Sequence, residues 1–242
     1  MNAQLDPELD LAAAAKPVDS WWTVAMVDPV AIRVLPSLLR LRRATPNAVT
    51  GLAFVVGLVS IALFAGGHWV LGALAYELRF FLDCLDGKIA RVRRLSSPTG
   101  ALFDRLADMV SIPAAYGAIG FVLAAHGDLP ERLALLVPAL ALLVAGLEAV
   151  LETVRLRAPA AGPGLAAPAT GLIGWARRHR FTLRPWTVEA ETLGLFLGPL
   201  VLRGTALGTW ELAVGGVYVV FALVDLGLLA RAIGATQATP RS

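Results

Sequence analysis

The chain has 242 residues, of which 57% are hydrophobic and only 16% are charged. Soluble domains carry about 25% charged residues, so there is too little charge here to cover a solvated surface of this size. The composition excludes a water-soluble globule and predicts one integral membrane domain with about six spans. The net charge of +3 is typical of basic cytoplasmic loops and does not indicate nucleic-acid binding.

The first 45 residues precede the first apolar segment. Acidic residues come before any basic cluster, which is not the pattern of a cleaved secretory signal, so we expect this segment to be retained. Apolar residues from Trp21 to Leu35 alternate with polar ones and lead to the basic residues Arg40, Arg42 and Arg43. This favours an amphipathic helix lying in the headgroup layer, with a frayed tail as the alternative.

The remaining chain contains six apolar segments that predict spans. The first is opened by Pro46, and the second begins apolar and ends charged. The helix of the third span is expected to begin near Gly100, and the fifth, which is short, could begin as early as Trp186. Residues 158–171, rich in Ala, Pro and Gly, predict an irregular linker. The six predicted spans are residues 48–65, 69–91, 109–125, 133–152, 192–202 and 212–230.

The basic residues predict the orientation of these spans. They cluster before the first span, after the second and after the fourth, whereas the other loops hold few. The positive-inside rule makes that side cytoplasmic, and both termini then face the cytoplasm. The predicted organisation is a tail and interfacial helix over residues 1–45, a six-helix membrane domain over 46–234 and a C-terminal tail over 235–242.

A cluster of aspartates lies where the second span ends and the next helix begins. The first group, from Asp83 to Arg91, shares one helix face within an arc of about 140°. The second group, from Gly100 to Asp108, recurs every four residues and forms one stripe on the next helix. A turn between these helices would bring four carboxylates into one pocket near the cytoplasmic boundary. The two groups are Asp83, Asp86, Gly87, Ala90 and Arg91, then Gly100, Asp104 and Asp108.

Such a pocket predicts a divalent metal site, because four neighbouring carboxylates repel one another without a cation. Hard oxygen ligands suit Mg²⁺ or Mn²⁺ rather than zinc, since the pattern offers no Cys or His ligand in range. Two such ions could clamp a diphosphate. The small residues on the same faces would let a nucleotide approach the backbone, and Arg91 could pair with phosphate oxygens. The small residues could instead be helix-packing contacts.

The run from Asp83 to Asp108 resembles the signature of the CDP-alcohol phosphotransferases, D-x2-D-G-x2-A-R-x8-G-x3-D-x3-D, and has all eight fixed positions. That family is an all-α, polytopic membrane helical bundle with six transmembrane helices and an N-terminal interfacial helix. It also has a PN-x-x-T element at the start of the first span, which Pro46, Asn47 and Thr50 match. The resemblance covers the first half of the chain by motif and the rest by topology.

The resemblance implies an enzyme that displaces CMP from a CDP-linked alcohol by the hydroxyl of a second alcohol. It implies two divalent cations, Mg²⁺ or Mn²⁺, held by Asp83, Asp86, Asp104 and Asp108. It further implies that Asp108 is the catalytic general base. The implied contacts to the CDP donor are Gly87, Ala90, Arg91, Gly100, Asn47 and Thr50.

The donor is expected to be CDP-diacylglycerol, because a site at the membrane boundary leaves acyl chains in the bilayer. A soluble CDP-linked headgroup transferred to a lipid alcohol is the alternative. The expected acceptor is a polyol phosphate of the inositol phosphate or glycerol phosphate type. Arg94, Arg155 and Arg157 are candidate ligands for its phosphate, or ordinary positive-inside residues. The basic connection 156–185 is where acceptor specificity is expected.

Two other classes use acidic membrane sites. A membrane prenyltransferase would need more spans and two separated acidic motifs, and a cation transporter would place its carboxylates at the bilayer midplane. Because the aspartates cluster at one boundary, the sequence favours catalysis over transport. The oligomeric state, a homodimer included, is left open.

Overall fold

The protein is described by a computed structural model over residues 14–41, 43–95, 98–157, 174–175, 178–180 and 187–238. The elements formed by these residues are helices, which confirms the predicted all-α bundle. Two π-helical segments, Thr23–Val27 and Thr192–Leu197, lead directly into α1 and α8. The predicted linker 158–171 lies outside the described residues. The helices are α1 (Asp28–Arg40), α2 (Pro46–Ala65), α3 (Trp69–Arg93), α4 (Pro98–Ala125), α5 (Glu131–Ala134), α6 (Leu136–Arg157), α7 (Thr187–Glu191), α8 (Gly198–Val201) and α9 (Gly204–Ala238).

Within the described ranges, four helical segments are long and apolar enough to cross a membrane. They correspond to the first, third, fourth and sixth predicted spans. The second predicted span is the 25-residue helix α3, which carries several charges, and the fifth corresponds to α7, the second π-helical segment and α8. The count of six spans therefore stays a prediction. The four segments are Pro46–Ala65, Leu102–Ala125, Glu131–Leu151 and Gly204–Arg231.

The ends of α2 follow from the residues found there. Thr45 caps its N-terminus, since its Oγ1 accepts a hydrogen bond from the Ala48 amide at 3.2 Å, and Pro46 occupies the first turn. The helix stops at Gly66, and Gly67 has a φ of 72°, which glycine adopts without steric cost. Helix α3 starts immediately afterwards at Trp69, so α2 and α3 pack as an antiparallel hairpin. The hairpin places the start of α2 beside the charged end of α3.

The bundle has an interior core and an apolar outer surface. Phe64, Tyr76, Tyr116, Ile119 and Leu195 are among the buried residues that join α2, α3 and α4 to the second π-helical segment. The outward faces of α2 and α9 expose rows of large apolar side chains. In water such faces would be unfavourable, whereas they match the hydrocarbon of a bilayer, so the protein is an integral membrane protein. The exposed rows include Leu52, Val55, Leu58 and Val59 on α2 and Val217, Val220, Phe221 and Val224 on α9.

The helix predicted before the first span is present as α1, and one of its faces packs on α3. Ala31 and Leu35 are buried on that face, while Val30 and Val34 are exposed on the other. The helix is therefore amphipathic, and the apolar side chains on its exposed face are available for contact outside the bundle. Its location in the headgroup layer stays a prediction.

Cations of α3 fasten α1 to the bundle. Lys88 Nζ lies 2.7 Å from Asp28 Oδ1, and both side chains are buried. The Arg93 guanidinium donates to the carbonyl oxygens of Leu39, Leu41 and Ala44 at 2.6 to 3.2 Å, where α1 ends. The segment before the first span is thus tied to the helix that carries the first two aspartates of the motif.

We expect Asp28→Asn to lower the free energy of unfolding by about 3–5 kcal/mol, because it leaves the buried Lys88 ammonium uncompensated. The measurement is thermal or denaturant unfolding of the purified protein in detergent micelles. The double variant Asp28→Asn/Lys88→Met removes both charges and should recover the part of the loss that comes from Lys88. The ion pair of Asp28 Oδ2 with Arg180 Nη2, at 3.0 Å, is lost in both variants. A single variant as stable as the wild type would show that this pair does not hold α1 in place.

Candidate active site

The two motif helices follow one another closely along the chain. Helix α3 ends at Arg93, and Arg94 adopts a left-handed conformation with a φ of 54°. The Leu95 amide donates to the Ala90 carbonyl oxygen at 2.8 Å, which closes the end of the helix. Helix α4 begins at Pro98. The predicted turn between the two helices includes Ser96 and Ser97, which lie outside the described residues.

Three of the four motif aspartates converge. Asp83 of α3 and Asp104 and Asp108 of α4 each offer a carboxylate oxygen, and these oxygens lie within 4.8 Å of one another. The three side chains are half-buried. Closely spaced carboxylates favour a bound cation, and an all-oxygen set fits a hard divalent ion such as Mg²⁺ or Mn²⁺. The spacing of the motif thus produces a group that could hold a metal.

Asp86 lies outside that group of three. Its side chain is buried, and its Oδ2 accepts a hydrogen bond from Thr50 Oγ1 at 2.5 Å. Thr50 Oγ1 also lies 3.0 Å from the Pro46 carbonyl oxygen. The PN-x-x-T element at the start of α2 is therefore bonded directly to the aspartate motif, while Asn47 is exposed on the first turn.

Arg79 is a site residue that the sequence analysis did not select. It lies one turn before Asp83 on α3, is 5% exposed, and donates a hydrogen bond to Asp108 Oδ1. Its guanidinium carbon is 5.8 Å from the centre of the Tyr76 ring. A Cβ on Gly57 of α2 would stand 3.5 Å from Arg79 Cγ, so a small residue faces the arginine stem. The buried guanidinium offsets part of the negative charge of the aspartates.

The predicted donor contacts lie on the end of α3 and the start of α4. Gly87 is adjacent to Arg91, because a Cβ there would stand 3.3 Å from Arg91 Nη1. Arg91 Nε and Nη2 donate to the Ala14 carbonyl oxygen at 2.9 and 2.7 Å. Ala90 is half-buried on α3, and Gly100 lies in the first turn of α4. The structure thus shows Gly87 and Arg91 side by side, and the role of all four residues in donor binding stays a prediction.

The predicted acceptor arginines are more scattered. Arg94 is exposed. Helix α3 ends one residue before Arg94, so the Arg94 side chain does not point in the direction that a continued helix would give it. Arg155 and Arg157 lie in the last turn of α6, and their side chains lie outside what the structure describes. The structure therefore leaves their acceptor role a prediction.

A cavity of about 510 Å³ adjoins Asp108 between α4, α6, α7 and α9. Its lining includes Lys16 and Arg105 and a further set of acidic side chains. The Tyr76 hydroxyl donates to Glu191 Oε2 at 2.5 Å, which links α3 to α7 beside this space. The acidic residues other than Asp108 are Glu148, Glu191 and Glu211.

The fold is a membrane helical bundle, and its site is a group of aspartates that could hold a cation. The family model described as CDP-alcohol phosphatidyltransferase matches residues 43–224. The chain belongs to this family, and it is an enzyme that transfers substituted phosphate groups. This membership leaves the prenyltransferase and cation-transporter alternatives without support.

The chain is similar to several proteins of this family. It is 30% identical over 198 residues to the phosphatidylinositol phosphate synthase of Corynebacterium glutamicum, covering 81% of this chain and 80% of the relative. It is 32% identical over 124 residues to the CDP-diacylglycerol–glycerol-3-phosphate 3-phosphatidyltransferase of Rickettsia prowazekii, covering 50% of this chain and 66% of the relative.

A solved structure shares the fold. The crystal structure of the Mycobacterium tuberculosis phosphatidylinositol phosphate synthase with CDP-DAG bound has a TM-score of 0.58 to this chain. The two sequences are 20% identical, and the match covers 83% of this chain and 94% of the other. The likeness confirms the membrane helical bundle.

Proposed function

We propose that the protein transfers the phosphatidyl group of CDP-diacylglycerol to a hydroxyl of a polyol phosphate and releases CMP. The observation that carries the proposal is the group formed by Asp83, Asp104 and Asp108, with Asp86 held by Thr50 on the adjacent helix. One relative is named for the product phosphatidylinositol phosphate and another for the acceptor glycerol-3-phosphate, and both names support a polyol phosphate as acceptor. The neighbour solved with CDP-DAG supports a lipid donor.

The reaction requires a nucleophile, a base and a leaving group. The acceptor hydroxyl oxygen forms a bond to the β-phosphorus of the donor, and the bond from that phosphorus to the oxygen of the departing CMP breaks. Asp108 takes the hydroxyl proton, because its carboxylate adjoins the cavity from which an acceptor would approach. Two divalent cations, Mg²⁺ or Mn²⁺, would neutralise the diphosphate when bound. Asp83, Asp86, Asp104 and Asp108 are the proposed ligands.

The donor diphosphate is proposed to bind across the end of α3. Gly87, Ala90 and Gly100 carry little or no side chain, which permits close approach to the backbone. Arg91 donates from two guanidinium nitrogens to the carbonyl oxygen of Ala14. The same pair of donors matches the oxygens of a phosphate. Asn47 and Thr50 close the opposite side from the start of α2.

We place the site on the cytoplasmic side of the cytoplasmic membrane. The basic residues at the end of α3, before α2 and at the end of α6 support this orientation by the positive-inside rule. A charged acceptor would then reach the site from the cytoplasm, with Arg94, Arg155 and Arg157 as proposed ligands of its phosphate.

The test of this function is CMP release by the purified protein with Mg²⁺, CDP-diacylglycerol and a panel of alcohols. We expect release to depend on a polyol phosphate, inositol phosphate or glycerol phosphate, and to yield the matching phospholipid. Release from a soluble CDP-linked headgroup with diacylglycerol, and none from CDP-diacylglycerol, would reverse the assignment of donor and acceptor. Serine as the preferred acceptor would refute the polyol phosphate class.

A further inference from the structure

The cavity beside Asp108 is larger than a passage for one hydroxyl group. Its volume of about 510 Å³ lies in the range of sites that enclose small molecules. Arg105, Asp108 and Tyr116 line it in that order along α4. Asp108 and Tyr116 are eight residues apart, which is about 12 Å along a helix. The space thus extends from the aspartate site well into the bundle.

Glu211 of α9 lies at the inner end of this cavity. It is 2% exposed, and its Oε1 and Oε2 have no hydrogen-bond partner within the part of the chain that the structure describes. A Cβ on Gly194 would overlap the Tyr116 hydroxyl and stand 2.9 Å from Glu211 Oε2. The Tyr116 hydroxyl oxygen and Glu211 Oε2 therefore both lie against Gly194. A buried carboxyl without a partner is unfavourable, which points to a ligand that supplies hydrogen bonds.

The neighbours of Glu211 are equipped for the same kind of ligand. Tyr116 donates its hydroxyl proton to the Ala190 carbonyl oxygen at 3.2 Å, so its oxygen can accept a hydrogen bond from a ligand. Glu191 already accepts from Tyr76 and has further lone pairs. The inner end therefore presents acceptors, which match the hydroxyl groups of a polyol.

The outer end combines cations with carboxylates. Arg105 and Lys16 line the cavity along with Asp108 and Glu148, and the two cations would add to Arg94, Arg155 and Arg157, the ligands proposed above for the acceptor phosphate. An acyl chain in this space would leave both Glu211 oxygens without a partner. A molecule with a phosphate at one end and several hydroxyls at the other satisfies both ends of the cavity.

We propose that Glu211 is a specificity-determining residue that binds hydroxyl groups of the acceptor remote from the reacting one. The inference rests on the proposed function and narrows it. A ligand that touches both Asp108 and Glu211 must bridge most of the cavity, which selects a six-carbon polyol phosphate over a three-carbon one.

The test compares inositol phosphate with glycerol phosphate as acceptors for the full-length protein at saturating CDP-diacylglycerol. Glu211→Gln should raise the KM for inositol phosphate about 10-fold or more, because a carboxylate that accepts hydroxyl hydrogen bonds is lost. The KM values for glycerol phosphate and for CDP-diacylglycerol should change less than about 2-fold. The matched control is Glu131→Gln, at an exposed glutamate of α5 outside the cavity, which should behave as the wild type.

A second variant leaves the carboxyl in place. Ala141→Leu narrows the same cavity from α6 and should also raise the KM for inositol phosphate more than that for glycerol phosphate. An unchanged KM for inositol phosphate in both variants would overturn the inference, as would equal losses for both acceptors or a wild type that prefers glycerol phosphate. A wild type that releases CMP with neither polyol phosphate would instead refute the proposed function itself.

Discussion

Asp108→Asn is expected to lower kcat by about 10²–10⁴-fold while the affinity for the CDP donor changes far less. Asparagine keeps the size of the side chain and one oxygen atom, but it cannot take the proton of the acceptor hydroxyl. Asp108 belongs both to the group of three aspartates and to the lining of the cavity, by which the acceptor hydroxyl is proposed to arrive. The measurement is kcat and donor affinity for the variant and the wild type.

The metal concentration separates the two roles of this residue. Excess Mg²⁺ can compensate for a weakened ligand but cannot supply a missing base. Recovery of activity in Asp108→Asn at high Mg²⁺ would show that coordination is its principal role. Because Asp108 also accepts a hydrogen bond from Arg79, the unfolding transition of the variant must be compared with that of the wild type.

Removal of divalent cations is expected to abolish CMP release, since the converging carboxylates and a bound diphosphate would otherwise repel one another. Asp83→Asn should reproduce part of this loss by raising the Mg²⁺ concentration needed for half-maximal activity and weakening donor binding at the same time. The measurement is a metal titration of the EDTA-treated enzyme, followed by CMP release.

The Glu131→Gln variant serves as a control here as well, because Glu131 is exposed and lies on α5, away from the aspartates. Its metal titration should coincide with that of the wild type. Undiminished turnover in excess EDTA would remove the metal from the mechanism and leave Arg79 as the nearest described cation of the site.

Much of the fold could be predicted because its signals are local. The start of α2 at Pro46 and its stop before Gly67 follow from backbone preferences of single residues. The convergence of Asp83 with Asp104 and Asp108 follows from spacing along two helices that are consecutive in the chain. Each of these inferences needs only a few consecutive turns of chain.

The rest depends on pairings between distant helices, which one sequence does not specify. In the sequence, Arg79 is a charge inside a predicted span, where burial in hydrocarbon is costly. Only the structure shows that Asp108 lies beside it. Glu211 lies in a segment of apolar residues, and only the packing of α4, α6 and α9 reveals that its carboxyl lines a cavity. Asp86 was predicted to share the pocket of the other aspartates, but its bond to Thr50 depends on how α2 lies against α3.

The charges of α3 also bear on how this protein enters its membrane. Arg, Lys or Asp at the centre of an isolated transmembrane helix costs about 2.5–3.5 kcal/mol, and α3 carries Arg79, Asp83, Asp86 and Lys88 within three turns.

The partners of these charges lie on three other helices: Asp28 on α1, Thr50 on α2 and Asp108 on α4. Two of the partners are synthesised before α3 and one after it. If α3 crosses the bilayer, as the sequence predicts, its insertion is therefore a cooperative event that is completed only when α4 has left the ribosome.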